Sequence, residues 1–495
     1  MTEILLGQHW FFWMTLVPLG AAVVAFLIPQ QARWIGLATA LLLPFFALAA
    51  IAATLTAEVQ PITGGGWPTP LGIELRRDGL ALVMLTVTAV VGFIISCYAL
   101  GYFPARGHHS SRARYFWPLW LFLWGSCNAL FVSGDLFNLY VTLELVTLAS
   151  VSLIALEGGK AALTAALRYL FIGLFGSLAY LLGVGIFYGA YATVDLALLG
   201  DIITGTSLDH AAMALMVAGL VLKSALFPLH FWLPQAHAMA PAPVSAVLSA
   251  LVIKCSYVIL LRLWFEVFVS LDTVAVGHLL GLLGSVAIIW GSLLALRQER
   301  LKLLIAYSTV AQIGYLFLVF PLARNETMAT AWVGGVLLMM THACGKAAMF
   351  MVAGTIHHTA GSDRISRLAG AGGPIGVLVV VFTLAATTII GLPPSGGFFS
   401  KWLFINAALV TGQWWYLPII LSGTLLAAGY VAKVLGWAFL DVKRSSYPVI
   451  PWVMKWPPLV LSVIALLFGL IAYEPVQIAL LGAPVSGPIF MEAGP

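Results

Sequence analysis

Apolar positions along this chain fall in blocks separated by short polar or proline-bearing breaks, and they do not alternate with the period of two that marks half-buried strands. A bilayer core of ~30 Å takes about 20 helical residues to cross. The pattern therefore predicts helices near 10–28, 35–55, 78–101, 115–133, 136–156, 168–192, 211–232, 243–268, 274–296, 302–322, 331–356, 374–410, 415–440 and 456–474. Two of these fourteen blocks are interrupted. The seventh ends in FPLHFWLP, Phe227 to Pro234, and the twelfth, too long for one crossing, carries GLPPSGGFFSKW from Gly391 to Trp402. Proline removes a backbone donor and glycine frees the backbone, so both helices are expected to break there.

Composition settles the class. Hydrophobic residues make up 62% of the 495 residues, charged residues 8%, and mean hydropathy is +1.04, values that exclude a soluble globular protein. Lipid offers backbone groups no partner, so the spanning elements are helices. No Lys or Arg precedes Arg33, so the first block lacks the basic region of a secretory leader and is expected to remain as a membrane helix. Cys97, Cys127, Cys255 and Cys344 are scattered, with no CxxC pair, and read as small buried hydrophobes; no metal site and no cofactor is expected.

Basic residues orient the helices. Loops after odd-numbered blocks hold 14 of them (Arg33, Arg106, Arg112, Arg114, Lys160, Arg168, Arg297, Arg300, Lys302, Arg364, Arg367, Lys443, Arg444, Lys455), and loops after even-numbered blocks hold 3 (Arg76, Arg77, Arg324). By the positive-inside rule the odd loops are cytoplasmic and both termini lie outside. The net charge of +5 is then topological, and no nucleic-acid partner is implied.

The two interrupted helices stand five helices apart, an odd number, so a repeat of helices 4–8 as 9–13 would be inverted across the membrane. Inverted repeats with corresponding broken helices place polar sites near the midplane of transporters. The expected architecture is all-α, with helices 1–3 in residues 1–114, one repeat in 115–268, its inverted partner in 269–440, and helix 14 with a tail in 441–495.

Six basic residues remain within helices: Lys223, Lys254, Arg262, Lys346, Lys401 and Lys433. Arg262 lies near a helix end and is expected to snorkel. Each lysine costs ~2.5–3.5 kcal/mol at a helix centre, which points to a wet interior path. Only Glu144 is read as an acid deep in a helix, in FNLYVTLELVTLAS, and it is expected to pair with Lys223; Asp135 is read as a cap. An amine in a low-dielectric site favours its neutral form and a nearby carboxylate restores the charge, so movement of that carboxylate exchanges a proton. Lys223, Lys254, Lys346 and Lys401 are read as a proton relay. His342 and Lys346, i and i+4 in THACGK, bridge its halves. Lys433 joins it near a helix end. His230, His237, Pro234, Pro393 and Pro394 are candidate gating positions at the breaks, with Ser400 and Trp402 bordering Lys401. His108, His109, His357 and His358 read as solvated.

The segments VLKSALFPLHFWLPQAHAMAPAPVSAVLSALVIKCSYVILLR, THACGKAAMF and GLPPSGGFFSKW together resemble the antiporter-like subunits shared by respiratory complex I, membrane-bound hydrogenases and Mrp-type multisubunit cation/proton antiporters. The resemblance spans nearly all of residues 70–440, and the lysine pattern is most similar to the D-type Mrp subunit. HFWLPQAHAMAPAPVSA is also similar to the hydrogenase type. The resemblance implies that Glu144 and Lys223 are the pair on helices 5 and 7, Lys254 the helix-8 lysine, His342 and Lys346 the helix-11 pair, and Lys401 the helix-12 ion. It also implies hydrophobic partner subunits in a bacterial cytoplasmic membrane, with protons and Na+ as the transported ions. A redox-driven pump whose cofactors all lie in partners is the alternative.

Overall fold

The computed structural model describes residues 9–56, 62–63, 67, 69, 72–105, 111–271, 273–369, 374–440, 450–487 and 489. Arg106, His108, His109, Lys443 and Arg444 lie outside them. The helices are α1 (Trp10–Leu27), α2 (Ala32–Thr56), α3 (Gly79–Ala105), α4 (Ser111–Val132), α5 (Leu136–Ala155), α6 (Gly159–Tyr191) and α7 (Ser207–Lys223). There follow α8 (Ala242–Ser270), α9 (Val274–Arg297), α10 (Leu301–Leu322), α11 (Met328–Ala360), α12 (Pro374–Ile390), α13 (Gly396–Val410), α14 (Tyr416–Ala438) and α15 (Trp452–Leu467). Eleven helices among the described residues are long and apolar enough to cross a membrane. The chain is a multi-pass membrane protein.

The all-helical expectation needs one correction, a short antiparallel pairing of Ile62–Thr63 with Glu74–Leu75 between α2 and α3. The twelfth block is two helices, α12 and α13, and the seventh is α7 followed by the short helix Leu233–Met239. Both breaks have the same local backbone. Ala225 and Gly391 take φ of 53° and 82°, and each stands three residues before a proline, Pro228 and Pro394.

In lipid, apolar side chains gain little by leaving the bilayer, so close packing of small residues does much of the work of helix association. α6 illustrates both sides. Phe171, Phe175, Leu178 and Leu182 face outward, while Gly173, Gly176 and Gly183 face inward. A Cβ on Gly219 of α7 would stand 2.3 Å from the Gly176 carbonyl oxygen, so only glycine permits that approach. Gly284 and Gly314 join α9 to α10 in the same way, at 2.4 Å from a Cβ on Gly314. α8 and α11 are enclosed along their whole apolar span. α11 packs against α3, α8, α10, α12, α13 and α15, which makes it the central strut.

Arg262 does not snorkel. It is fully buried in α8 and donates to Asp78 Oδ2 and Oδ1 at 2.7 and 3.0 Å, to Glu266 Oε1 at 3.0 Å and to the Phe131 carbonyl at 3.2 Å. Glu266 also meets Arg76 at 3.2 Å, so a second acid beyond Glu144 lies within a spanning helix. This cluster ties α8 to the start of α3 and to the residues before it. Arg262→Leu should cost about 3–5 kcal/mol by stranding Asp78, while Glu266 keeps Arg76, read as a lowered thermal midpoint in detergent. Arg262→Leu combined with Asp78→Leu should recover part of that loss.

Candidate functional site

Glu144 and Thr147, one turn apart on α5, face Ser177 on α6 and the last residue of α7, Lys223. The Lys223 ammonium donates to Glu144 Oε1 at 3.0 Å and to Thr147 Oγ1 at 2.8 Å, and Ser177 Oγ donates to the same carboxylate oxygen. Lys223 sits where α7 ends, because Ala225 takes a left-handed backbone and the chain turns into the break. Asp135 caps α5, its side chain accepting from the Asn138 backbone N–H at 2.6 Å. A cavity of about 10 Å3 is lined by Lys223, Thr147, Tyr169, Trp232 and Ser256, about the size that admits one water. Ser256 in turn bonds Ser224 at 2.9 Å, which links the end of α7 to α8.

Two residues before Ser256 on α8 stands Lys254. A π turn, Leu248–Val252, lies directly ahead of it, and the Lys254 ammonium donates to the Ser249 carbonyl in that turn at 2.6 Å. Its second partner is His342 Nδ1 of α11, also at 2.6 Å. Lys346, one turn further along α11, donates to the Ile305 carbonyl of α10 at 3.1 Å and to Ser308 Oγ. Ser249 and Thr309 bond across α8 and α10 at 3.0 Å. The middle of the protein thus holds two amines and an imidazole, partnered by carbonyls and hydroxyls.

Lys401 projects from α13 toward the break before it. It donates to the carbonyls of Ile390 and Ile389 at 2.7 and 3.5 Å and to Thr424 Oγ1 of α14 at 3.0 Å. Its Nζ lies 4.4 Å from the centre of the Tyr315 ring of α10, close enough for a cation–π contact. Ending α12 at Ile390 is what exposes those carbonyls. Gly391 makes the room, since a Cβ there would stand 2.8 Å from Lys401 Cδ and its φ of 82° is one that L side chains rarely adopt.

The remaining expected residues divide by geometry. Lys433 donates to the Leu296 and Gln298 carbonyls, both at 2.8 Å, so it caps the end of α9 and is set apart from the other amines. His230 stacks on Phe227 at 5.6 Å, and His237 on Phe350 at 5.3 Å. Pro234 opens the short helix after the first break, and Pro393 and Pro394 lie in the second. Ser400 turns away from Lys401 and donates to the Gly334 carbonyl at 2.6 Å, and Trp402 stacks on Phe398 at 6.3 Å with its face exposed. Tyr315 and Thr424 take the bordering positions instead. His357 and His358 end α11 as half-buried residues. Cys127 and Cys255, distant in sequence, have sulfurs 3.6 Å apart. Among the described residues no three His, Cys, Asp or Glu side chains gather as a metal site.

One further amine belongs near this row. Lys302, grouped with the loop residues by its sequence position, is buried and donates to the Ala240 carbonyl at 2.6 Å, with Ser245 Oγ at 3.5 Å. Ser245 Oγ also donates to the His237 carbonyl at 2.7 Å, so Lys302 reaches the segment that carries His237. A signal was present: Lys302 follows Arg300 in the first turn of a helix, where the dipole disfavours cations.

A helical membrane subunit with two broken helices and a set of buried amines held by one carboxylate, one imidazole and backbone carbonyls is the class that this fold and site define. The chain belongs to the NADH:quinone oxidoreductase/Mrp antiporter transmembrane family, whose sequence pattern matches residues 133–427. It is 35% identical to NADH-quinone oxidoreductase subunit N of Desulforudis audaxviator, over 88% of this chain and 89% of the relative. It is 28% identical to the D-type subunit of a Na(+)/H(+) antiporter from Bacillus subtilis, over 84% of each. A chain in the structure of the membrane-bound sulfane sulfur reductase, an archaeal respiratory membrane complex, superposes with a TM-score of 0.87 at 26% identity, over 95% of this chain and 96% of that one.

Glu144→Gln and Lys223→Met should each lower the thermal midpoint more than the double variant does, since each alone strands a buried partner at about 3–5 kcal/mol. Gly391→Ala should displace Lys401 from the Ile390 carbonyl and lower the thermal midpoint, while Gly436→Ala, whose Cβ meets nothing within 4 Å, should leave it unchanged.

Proposed function

We propose that this chain is the proton-translocating subunit of a multisubunit monovalent cation/proton antiporter, with Na+ as the exchanged ion, and that protons move through Glu144, Lys223, Lys254, His342, Lys346 and Lys401, with Lys433 beside the row at the end of α9. The observation that carries the reading is the Lys254 to His342 contact at 2.6 Å. It joins α8, which follows the first broken helix, to α11, which precedes the second. Within the relay, Lys223 gives up its charge when Glu144 moves away, and Ser256 with a bridging water offers the next acceptor toward Lys254. Lys302, together with His237, extends the row toward the loops counted as cytoplasmic. Matching backbone at the two breaks supports a repeat of 115–268 and 269–440, and the split of basic residues among the loops supports its inversion, with fourteen crossings and both termini outside. His230, His237, Pro234, Pro393 and Pro394 are then the hinges of the breaks.

A second reading keeps the relay and replaces the cation by a redox partner. The 35% identity to an NADH-quinone oxidoreductase subunit favours it. In either case the partners are other membrane subunits and the protein resides in a cell membrane, which we assign to the bacterial cytoplasmic membrane.

Glu144→Ala, Lys223→Ala and Lys401→Ala should each abolish cation-dependent proton flux in inverted vesicles, and Cys127→Ala should leave it intact; normal flux in Lys223→Ala would remove the pair from the mechanism. Purification of the native assembly separates the two driving forces. Small hydrophobic subunits without cofactors support exchange, and iron–sulfur subunits support the pump.

A further inference from the structure

Away from the amines, a cavity of about 520 Å3 lies among α2, α3, α11, α15 and the short helix Tyr473–Leu480, a volume in the range of sites that hold small molecules. It is elongated along the helices. Val83, Val87 and Val90 line it over about 10 Å of α3, and Ile464 and Phe468 face them from α15 and its end. Met340 and Cys344 of α11 close the back. Thr86 adds no polar partner, because its hydroxyl donates to the Leu82 carbonyl of its own helix at 2.7 Å.

One end is different. Glu474, exposed in the first turn of the short helix, is the single charged residue of the lining among the described residues. No described cation lies within ion-pair distance of it. Val83 lies near the start of α3 and Glu474 just beyond the end of α15, so the carboxylate stands where these helices leave the apolar layer. An apolar slot parallel to the helices, with one anion at the end, matches a bilayer lipid whose zwitterionic headgroup ends in an ammonium.

We propose that this cavity binds one acyl chain of a phospholipid with a primary-amine headgroup, its ammonium on the Glu474 carboxylate. An ethanolamine headgroup supplies that cation and a glycerol headgroup does not, so charge complementarity selects the first. Bound there, the chain braces α3 and α15 against the face of α11 that carries Met340 and Cys344. Those residues interleave in sequence with His342 and Lys346, so the lipid supports the strut that bears the central amines. Lipid binding at this site does not depend on the proton relay.

The test is native mass spectrometry of the purified full-length chain after incubation with equimolar phosphatidylethanolamine and phosphatidylglycerol. One retained phosphatidylethanolamine, preferred at least fivefold, is expected. Glu474→Lys, at an exposed position, should reverse the preference toward phosphatidylglycerol, and Val87→Trp should fill the slot and release the lipid. Equal retention of the two lipids by the wild type, or an unchanged preference in Glu474→Lys, overturns the proposal, whatever Lys223→Ala does to flux.

Discussion

The cost of an ammonium group in a low-dielectric interior governs how this protein is built. Each buried lysine finds oxygen or nitrogen lone pairs at hydrogen-bond distance, and every one but Lys223 takes at least one of them from a backbone carbonyl. Lys254 takes a carbonyl from a π turn, Lys346 one from α10, Lys401 two from the end of α12 and Lys302 one beside the α8 start. Regular helices offer few free carbonyls away from their ends. The second break and the widened turn are therefore the means by which Lys401 and Lys254 become tolerable at depth, whereas Lys346 shares a carbonyl inside α10 and Lys223 is met by a carboxylate. Where carbonyls and hydroxyls do the solvating, an amine keeps hydrogen-bond partners in both its charged and its neutral state.

The same constraint explains the division of labour among the helices. α8 and α11 carry the middle of the row and are wholly enclosed, while α1, α2 and α14 turn large apolar side chains to the exterior. Arg262 follows another solution. It is surrounded by two acids and a carbonyl, its charge is fixed, and its neighbours are structural. Two kinds of buried cationic side chain thus coexist on one helix, eight residues apart: one compensated by acids, one held by a carbonyl and an imidazole.

Much of this was legible in the sequence because the signals are local. Proline and glycine inside apolar blocks mark both breaks, and His342 and Lys346 share a helix face by spacing alone. Glu144, the one acid read as deep within a helix, called for a basic partner, and Lys223 is in contact with it. What stayed hidden is set by distant packing. Arg262 and Asp78 are 184 residues apart, so nearness to a helix end suggested an exit to water that the fold closes. Lys302 is buried because Ala240 comes to it. Trp402 and Ser400 flank Lys401 in sequence, yet adjacent helical residues point about 100° apart, and the bordering groups arrive from α10 and α14.

The π turn at Leu248–Val252 holds one residue more than an α-helical turn would. Everything beyond it on α8 is consequently rotated by about 100° relative to an uninterrupted helix. The phase of Lys254, whether its amine meets an imidazole or a wall of leucine and valine, is set by that single surplus position. A shift of the bulge along the helix would act as a rotary selector, re-aiming the amine without any change in the helices around it.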